Sequence, residues 1–257
     1  TDYNLGYVLP TAIDKYTKLA VAPRDDRKLR VYSEAMREEV EVDLGSHIGL
    51  LGENAHWSNY VRGAADWLRQ NDYTASGADI LVWGDLPMGA GLASSASFLV
   101  GMLSALSALG DREFGSVELA RTAQAIEADF IGVPEGIMDP LSIAASEPKS
   151  ALLIDCRSLE TTTVPFDLAA MGLSLVVVNS GMTREADDTS YTRRRRECEA
   201  AVGALKVITY NLNLQSLRDI TPEMLSKYAS KLYPTLYKRA RHVITENERV
   251  LQTASAL

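Results

Sequence analysis

A chain of 257 residues, 46% hydrophobic and 23% charged, has the composition of a soluble protein with one large or two medium domains, able to bury a core without disulfides. Its net charge of −8 argues against a nucleic-acid or membrane-surface partner, because nothing in it neutralises phosphate at scale. Cys156 and Cys198 lie far apart and outside metal-ligand spacing, which suits a reducing cytoplasm, and no apolar run approaches a membrane span. Since the chain opens on Thr1 and not on methionine, a targeting peptide ahead of it is left open.

Thr17–Ala22, Leu29–Ser33 and Glu38–Leu44 alternate apolar and polar residues, so with Asp25-Asp26 as a turn they read as antiparallel strands. Trp57, Tyr60, Val61, Ala64, Trp67 and Leu68 recur at helical spacing and predict a helix over Trp57–Gln70. Ile80–Trp83 suits a buried strand. Beyond it, Leu92, Ala96, Leu99, Leu103 and Leu106 give a helix with one buried face, with Gly110 placed for a left-handed cap. The stretch Gly84–Gly110 is therefore strand, glycine loop, helix.

Gly89 and Gly91 let that loop turn sharply and approach a ligand. Ser94 and Ser95 fall in the first helical turn, where unpaired N–H groups and the helix dipole favour an anion. Their hydroxyls suit phosphate oxygens or a phosphate-bound Mg²⁺. On local grounds a triphosphate cradle and a plain turn with capping serines are equally good readings. A Walker A loop is excluded, since no lysine occurs between Gly84 and Gly110. A dinucleotide fingerprint is excluded as well: Ser94 stands where its third glycine belongs, and Asp111 follows the helix without a second strand.

Ser116–Phe130 reads as a second helix, with Glu127 near its C-terminal end. A carboxylate is unfavourable there unless solvent or a cation compensates the helix dipole. Gly132–Asp139 is a loop leading to a short helix that Asp139 would cap. Ala151–Asp155, Thr161–Val164 and Leu173–Asn179 read as strands, the last so apolar that it predicts a buried central strand. Asp187–Val207 is helical and holds Arg193–Arg196. Glu197 and Glu199 follow Arg193 and Arg195 by four residues and moderate that charge, which makes a partly solvated face. Glu223–Ser230 and Tyr233–Ala254 complete the helices. His47, His56 and His242 are too scattered for a metal cluster or a histidine triad.

Pro87-Met88-Gly89-Ala90-Gly91-Leu92-Ala93-Ser94-Ser95-Ala96 resembles the phosphate loop of the superfamily of galactokinase, homoserine kinase, mevalonate kinase and phosphomevalonate kinase (the GHMP kinases). Glu127–Asp139, Ser150–Pro165, Asn179-Ser180 and Tyr191–Glu199 are similar to successive galactokinase segments, and the likeness is collinear to about residue 250. The resemblance implies a two-lobed α+β fold. An N-terminal domain of mixed sheet and helices would span 1–149, and an incomplete ferredoxin-like C-terminal lobe 150–257, with the active site between them. It further implies a monomeric cytoplasmic kinase that moves phosphate from ATP·Mg²⁺ to the anomeric hydroxyl of galactose.

The family's roles fall on this chain as follows. Pro87, Gly89, Gly91, Leu92, Ser94, Ser95 and Ala96 would cradle the nucleotide, and Trp57 and Tyr60 would wall its adenine. Ser95 and Glu127 would hold Mg²⁺. Asp139 would take or orient the proton of the sugar hydroxyl. Asp2, Gly136 and Tyr191, with Asp139, would contact galactose. Two departures stand out: Pro140 replaces the usual glutamine and disfavours a helical Asp139, and Glu135 adds a negative charge beside the sugar. Glu135 keeps a kinase of another sugar, such as N-acetylgalactosamine or arabinose, open as an alternative. A non-catalytic galactose- and ATP-binding regulatory relative is a second one, disfavoured by the intact Ser95-Ala96.

The family's sugar motif is present only from Thr1-Asp2-Tyr3, without its Arg, Glu and His. Gly203 is the last glycine, so the family's C-terminal glycine-rich motif has no counterpart. The expectation is therefore an open sheet edge, exposed apolar surface and no normal turnover from this chain as it stands.

Overall fold

The computed structural model describes residues 1–52, 56–71, 77–110, 113–178 and 189–257. Its strands are β1 (Tyr7–Val8), β2 (Thr17–Pro23), β3 (Lys28–Ser33), β4 (Glu38–Asp43), β5 (Ala78–Gly84), β6 (Ser150–Asp155) and β7 (Thr161–Pro165). Its helices are α1 (Trp57–Gln70), α2 (Ser94–Leu109), α3 (Ser116–Ala125), α4 (Met138–Ala145), α5 (Thr189–Thr209), α6 (Pro222–Tyr228) and α7 (Pro234–Ala256). The architecture is α+β, as expected.

Two compact units form. The loop unit comprises Ile13–Ala145 with Val177–Ala186, and the terminal unit comprises Thr1–Ala12, Ser146–Val176 and Asp187–Leu257. One change of unit falls between Ala145 and Ser146, and the first twelve residues group with the later segments. The reason is pairing: β1 lies antiparallel to β6, with Tyr7 opposite Asp155.

In the loop unit the sheet order is β2-β5-β3-β4. The alternating pattern predicted adjacent antiparallel strands, and only β3 and β4 pair that way. Instead β5 inserts between β2 and β3, antiparallel to the first and parallel to the second. Alternation fixes which face of a strand is buried, not which strand lies beside it. The central place suits β5, whose Ala78, Ile80 and Val82 are buried and join Leu29, Val31 and Val42 in one core. Helix α1 contributes Val61, Ala65 and Leu68 to that core, and α2 contributes Met102 and Leu106. The other side of α2 (Leu99, Leu103) packs with Leu119, Ala123 and Ile126 in a second cluster. Each fully buried leucine here contributes roughly 1.5–3 kcal/mol.

Three local expectations change. Gly110 ends α2 in an extended conformation, φ −105°, and not as a left-handed cap. The helix expected over Ser116–Phe130 ends at Ala125 and continues as a π-helical turn over Ile126–Ile131, which places Glu127 in widened backbone. Such turns concentrate at functional sites. Leu173–Asn179, expected as a buried strand, carries no strand over residues 173–178, and Asn179 lies outside the described residues. Val176 and Val178 are 77% and 82% exposed, so the expected apolar surface is present without the strand. A strand needs neighbours for its ladder, and none of the described strands flanks this segment.

In the terminal unit β6 is central in the order β1-β6-β7. Helices α5, α6 and α7 share a core with Cys198, Leu205, Leu225 and Val243. Asn247 on α7 accepts the Tyr7 N–H at 2.9 Å, which ties that helix to β1. This unit is α+β as well, as expected for an incomplete C-terminal lobe. Arg195 pairs with Glu199 at 3.2 Å as the spacing predicts, whereas Glu197 turns to Arg239 of α7.

Candidate active site

The loop between β5 and α2 is pinned at its start. The Asp85 carboxylate accepts the Tyr16 N–H at 2.9 Å and pairs with Lys15 at 3.0 Å. Gly89 (φ 68°) and Gly91 (φ 74°) then adopt left-handed backbone, and so does Ala93 (φ 57°). A Cβ on either glycine would meet open space, so these glycines serve the turn itself and relieve no crowding. Ala93, which lacks that freedom, carries strain directly before α2.

Ala93 is also the N-cap of α2, and no side chain caps the helix. The serines are therefore not caps, which removes the simpler of the two local readings. Ser94 and Ser95 stand in the first turn, half-buried, with Ala96 buried behind them; Pro87 is exposed and Leu92 half-buried.

The Ser95 hydroxyl is hydrogen-bonded to Glu127 of the π-helical turn and to Tyr60 of α1. Glu127 is 1% exposed, and its Oε1 has no hydrogen-bond partner. Burial pushes its carboxyl up to about 7, against the Ser95 hydrogen bond, with Glu135 and Asp139 adding repulsion. Burial likewise raises the Tyr60 phenol to about 12, helped by Glu127 and Glu135. The Tyr60 ring stands edge-on to Phe98, 6.5 Å between centroids.

A buried carboxylate oxygen without a partner, next to a hydroxyl, fits a hard cation. Among the described residues no group of three or more His, Cys, Asp or Glu could cage a metal. The fit is therefore to an ion with few protein ligands, which is how Mg²⁺ binds when phosphates supply the rest.

The other expected residues are placed as follows. The Trp57 indole N–H donates to Glu38 at 2.7 Å while its ring packs on the core below the sheet. Gly136 is buried just ahead of α4. Asp139 is half-buried and lies inside the first turn of α4, not at its cap. Pro140 disturbs nothing there, because a first-turn residue has no intrahelical N–H bond to lose. The expectation that it would keep Asp139 out of helical backbone is corrected. In the terminal unit, Asp2 opens a short 3₁₀ turn and accepts the Tyr3 N–H at 2.9 Å. Tyr3 packs edge-on against Tyr191 with centroids 5.4 Å apart, so Asp2 and Tyr191 gather around one ring. The loop unit thus brings together Tyr60, Ser95 and Glu127, with Glu135 and Asp139 in electrostatic reach. The terminal unit holds Asp2 and Tyr191.

Sequence reasoning missed the hydroxyl of Tyr60, which it took for an aromatic wall. It also missed the fields of Glu135 and Asp139 on Glu127. Only the helical spacing of Tyr60, which puts it on the buried side of α1, pointed toward the first.

Residues 59–146 match the family described as the GHMP kinases N terminal domain. Over all its residues the chain is 41% identical to a galactokinase of Chloroflexus aggregans and 40% identical to one of Roseiflexus sp. (strain RS-1). It spans 64% of the length of each of these curated relatives. Among solved structures, the Lactococcus lactis galactokinase complexed with galactose superposes on all of the chain with a TM-score of 0.87 at 30% identity, and 65% of that protein is covered. Residues 59–146 accordingly match the GHMP kinase N-terminal domain, and the chain shares the fold of that galactokinase structure. No helix among the described residues is long and apolar enough to cross a membrane.

Proposed function

We propose that this chain, carrying a GHMP kinase N-terminal domain and similar to galactokinases throughout, serves ATP-dependent phosphorylation of galactose at the anomeric hydroxyl. The observation that carries the reading is the Ser95–Glu127 pair: a buried carboxylate with one open oxygen, hydrogen-bonded to a serine in the uncapped first turn after a glycine loop. That loop, Pro87–Ala96, would receive the triphosphate on its backbone N–H groups and the Ser94 hydroxyl. Trp57 would contact the base. Ser95 and Glu127 would hold Mg²⁺, whose chemistry is to neutralise charge on the phosphate oxygens. Asp139 would accept or orient the proton of the sugar hydroxyl as its oxygen attacks the γ-phosphorus and ADP leaves. Asp2, Gly136 and Tyr191 would fix the sugar.

The test is an ATP-dependent phosphorylation assay over galactose, N-acetylgalactosamine and arabinose, run on this chain within a protein of its relatives' full length because the chain by itself is expected to turn over poorly, with the sugar 1-phosphate read by phosphorus NMR. A product with galactose in clear excess over the others is expected. Selective phosphorylation of another sugar, or ATP and galactose binding with no product, would replace this reading.

A further inference from the structure

Three segments meet at the Ser95 hydroxyl: Tyr60 of α1 and Glu127 of the π-helical turn are both bonded to this serine in the first turn of α2. Both neighbours of Ser95 are bonded to its hydroxyl, which has one proton and two lone pairs. Once Glu127 is ionised, as it would be beside a bound cation, it can only accept, so the serine proton goes to it. The second bond must then run from the phenol O–H of Tyr60 to Ser95 Oγ. After that assignment one lone pair remains on Ser95 Oγ, and Glu127 Oε1 remains without a partner.

The phenol is well held for this task. Its ring meets Phe98 edge-on, the planes 88° apart. Gly63, one turn further along α1, lets that helix come close to the π-helical turn. A Cβ on Gly63 would lie 2.5 Å from Ile126 Cγ2, on the residue before Glu127. The distance between Tyr60 and the Ser95–Glu127 pair is therefore set by packing.

We propose that Tyr60 is a positioning residue: its hydroxyl holds Ser95 Oγ so that the remaining lone pair and the open oxygen of Glu127 face one cation. This rests on the assignment of Ser95 and Glu127 to Mg²⁺ given above. It adds a role for the hydroxyl to the expectation that the Tyr60 ring walls the adenine.

Mn²⁺ binding to the full chain in the presence of ADP, followed by electron paramagnetic resonance, tests it apart from turnover. Tyr60→Phe keeps the ring and removes the hydroxyl. It should weaken Mn²⁺ about five- to tenfold, the scale of one neutral hydrogen bond, while ADP binding in EDTA is unchanged. In a Ser95→Ala background the same substitution should change Mn²⁺ affinity less than about twofold, because its partner is gone. Phe98→Leu leaves the hydroxyl but loosens the ring, and should give a smaller weakening of the same kind. It serves as the independent arm if Tyr60→Phe lowers the melting temperature. Wild-type Mn²⁺ affinity in Tyr60→Phe, or equal loss of ADP binding with and without metal, overturns the inference. Glu127→Gln separates the two levels. If it abolishes Mn²⁺ binding while Tyr60→Phe does not weaken it, the inference alone falls; if it binds Mn²⁺ like wild type, the metal assignment falls and takes the inference with it.

Discussion

Asp155 in the terminal unit and Glu127 in the loop unit are carboxylates largely withdrawn from water, and they are treated in opposite ways. Asp155, at the end of β6, is bound on both oxygens by Arg218 and accepts the Arg157 N–H at 2.8 Å. Arg218 also bonds the Leu5 carbonyl at 2.9 Å and stacks on the Tyr7 ring at 4.1 Å. Its guanidinium therefore holds the Asp155 carboxyl down to about 2. Glu127 is bonded to a serine hydroxyl, and burial pushes its carboxyl up to about 7. A carboxylate whose bonds are complete belongs to the fold. One that is buried with an oxygen open costs stability until a ligand arrives, and it is the place to look for one.

The largest expected difference is in turnover. Within a protein of the relatives' full length, Glu127→Gln or Asp139→Asn should each lower kcat by at least about 100-fold in the phosphorylation assay, with nucleotide binding in EDTA little changed. Asp155→Asn should leave kcat per folded molecule within about threefold of wild type. A turnover loss at Asp155 equal to that at Glu127 would break the contrast.

The two carboxylates should also give stability opposite pH dependences. The folded carboxyl of Glu127 titrates near 7 and the free group near 4.5. Its favourable contribution is therefore full below about 4.5 and lost as pH rises through about 7, worth about 3 kcal/mol in all. The contribution of Asp155 is present above its free value of 3.8 and lost as pH falls toward about 2. In the metal-free protein, urea unfolding at pH 5 and pH 8 should show wild type losing more stability on the alkaline side than Glu127→Gln. Equal slopes would mean that Glu127 is not the group responsible.

Arg218→Ala should cost about 2 kcal/mol in the same unfolding experiment at pH 7, since it leaves Asp155 partly buried and unpaired. Gly63→Ala is the mildest change. The methyl group overlaps Ile126, which outweighs the gain in helix propensity, so a net loss of about 1 kcal/mol is expected. Mn²⁺ affinity should fall with it, because the shift reaches Glu127. Unchanged affinity in Gly63→Ala would show that the π-helical turn tolerates movement of α1.

Much of this was legible in the sequence because it is written in periodicity. Trp57–Gln70 and Ser94–Leu109 are amphipathic over whole turns, and the helices stand where the spacing puts them. What periodicity does not encode is adjacency. Nothing in Ile80–Trp83 says that it lies between the first and second strands of the sheet, and nothing in Ile126–Ile131 says that one extra residue widens the turn. The apolar run Leu173–Val178 misled for a related reason, because hydrophobicity describes a preference for burial and not the presence of a partner. The convergence of Ser95 and Glu127 was expected from the family likeness. The part of Tyr60 was not, since an aromatic residue on a core face gives no sign of where its hydroxyl ends.

Whether Ser95 and Glu127 form the protein's share of a nucleotide-bound cation site is decided by calorimetric titration of ATP into wild type and Glu127→Gln, with Mg²⁺ and with EDTA. Mg²⁺ should tighten ATP binding to wild type by about tenfold or more and leave binding to Glu127→Gln unchanged. An equal gain from Mg²⁺ in both proteins would contradict that assignment.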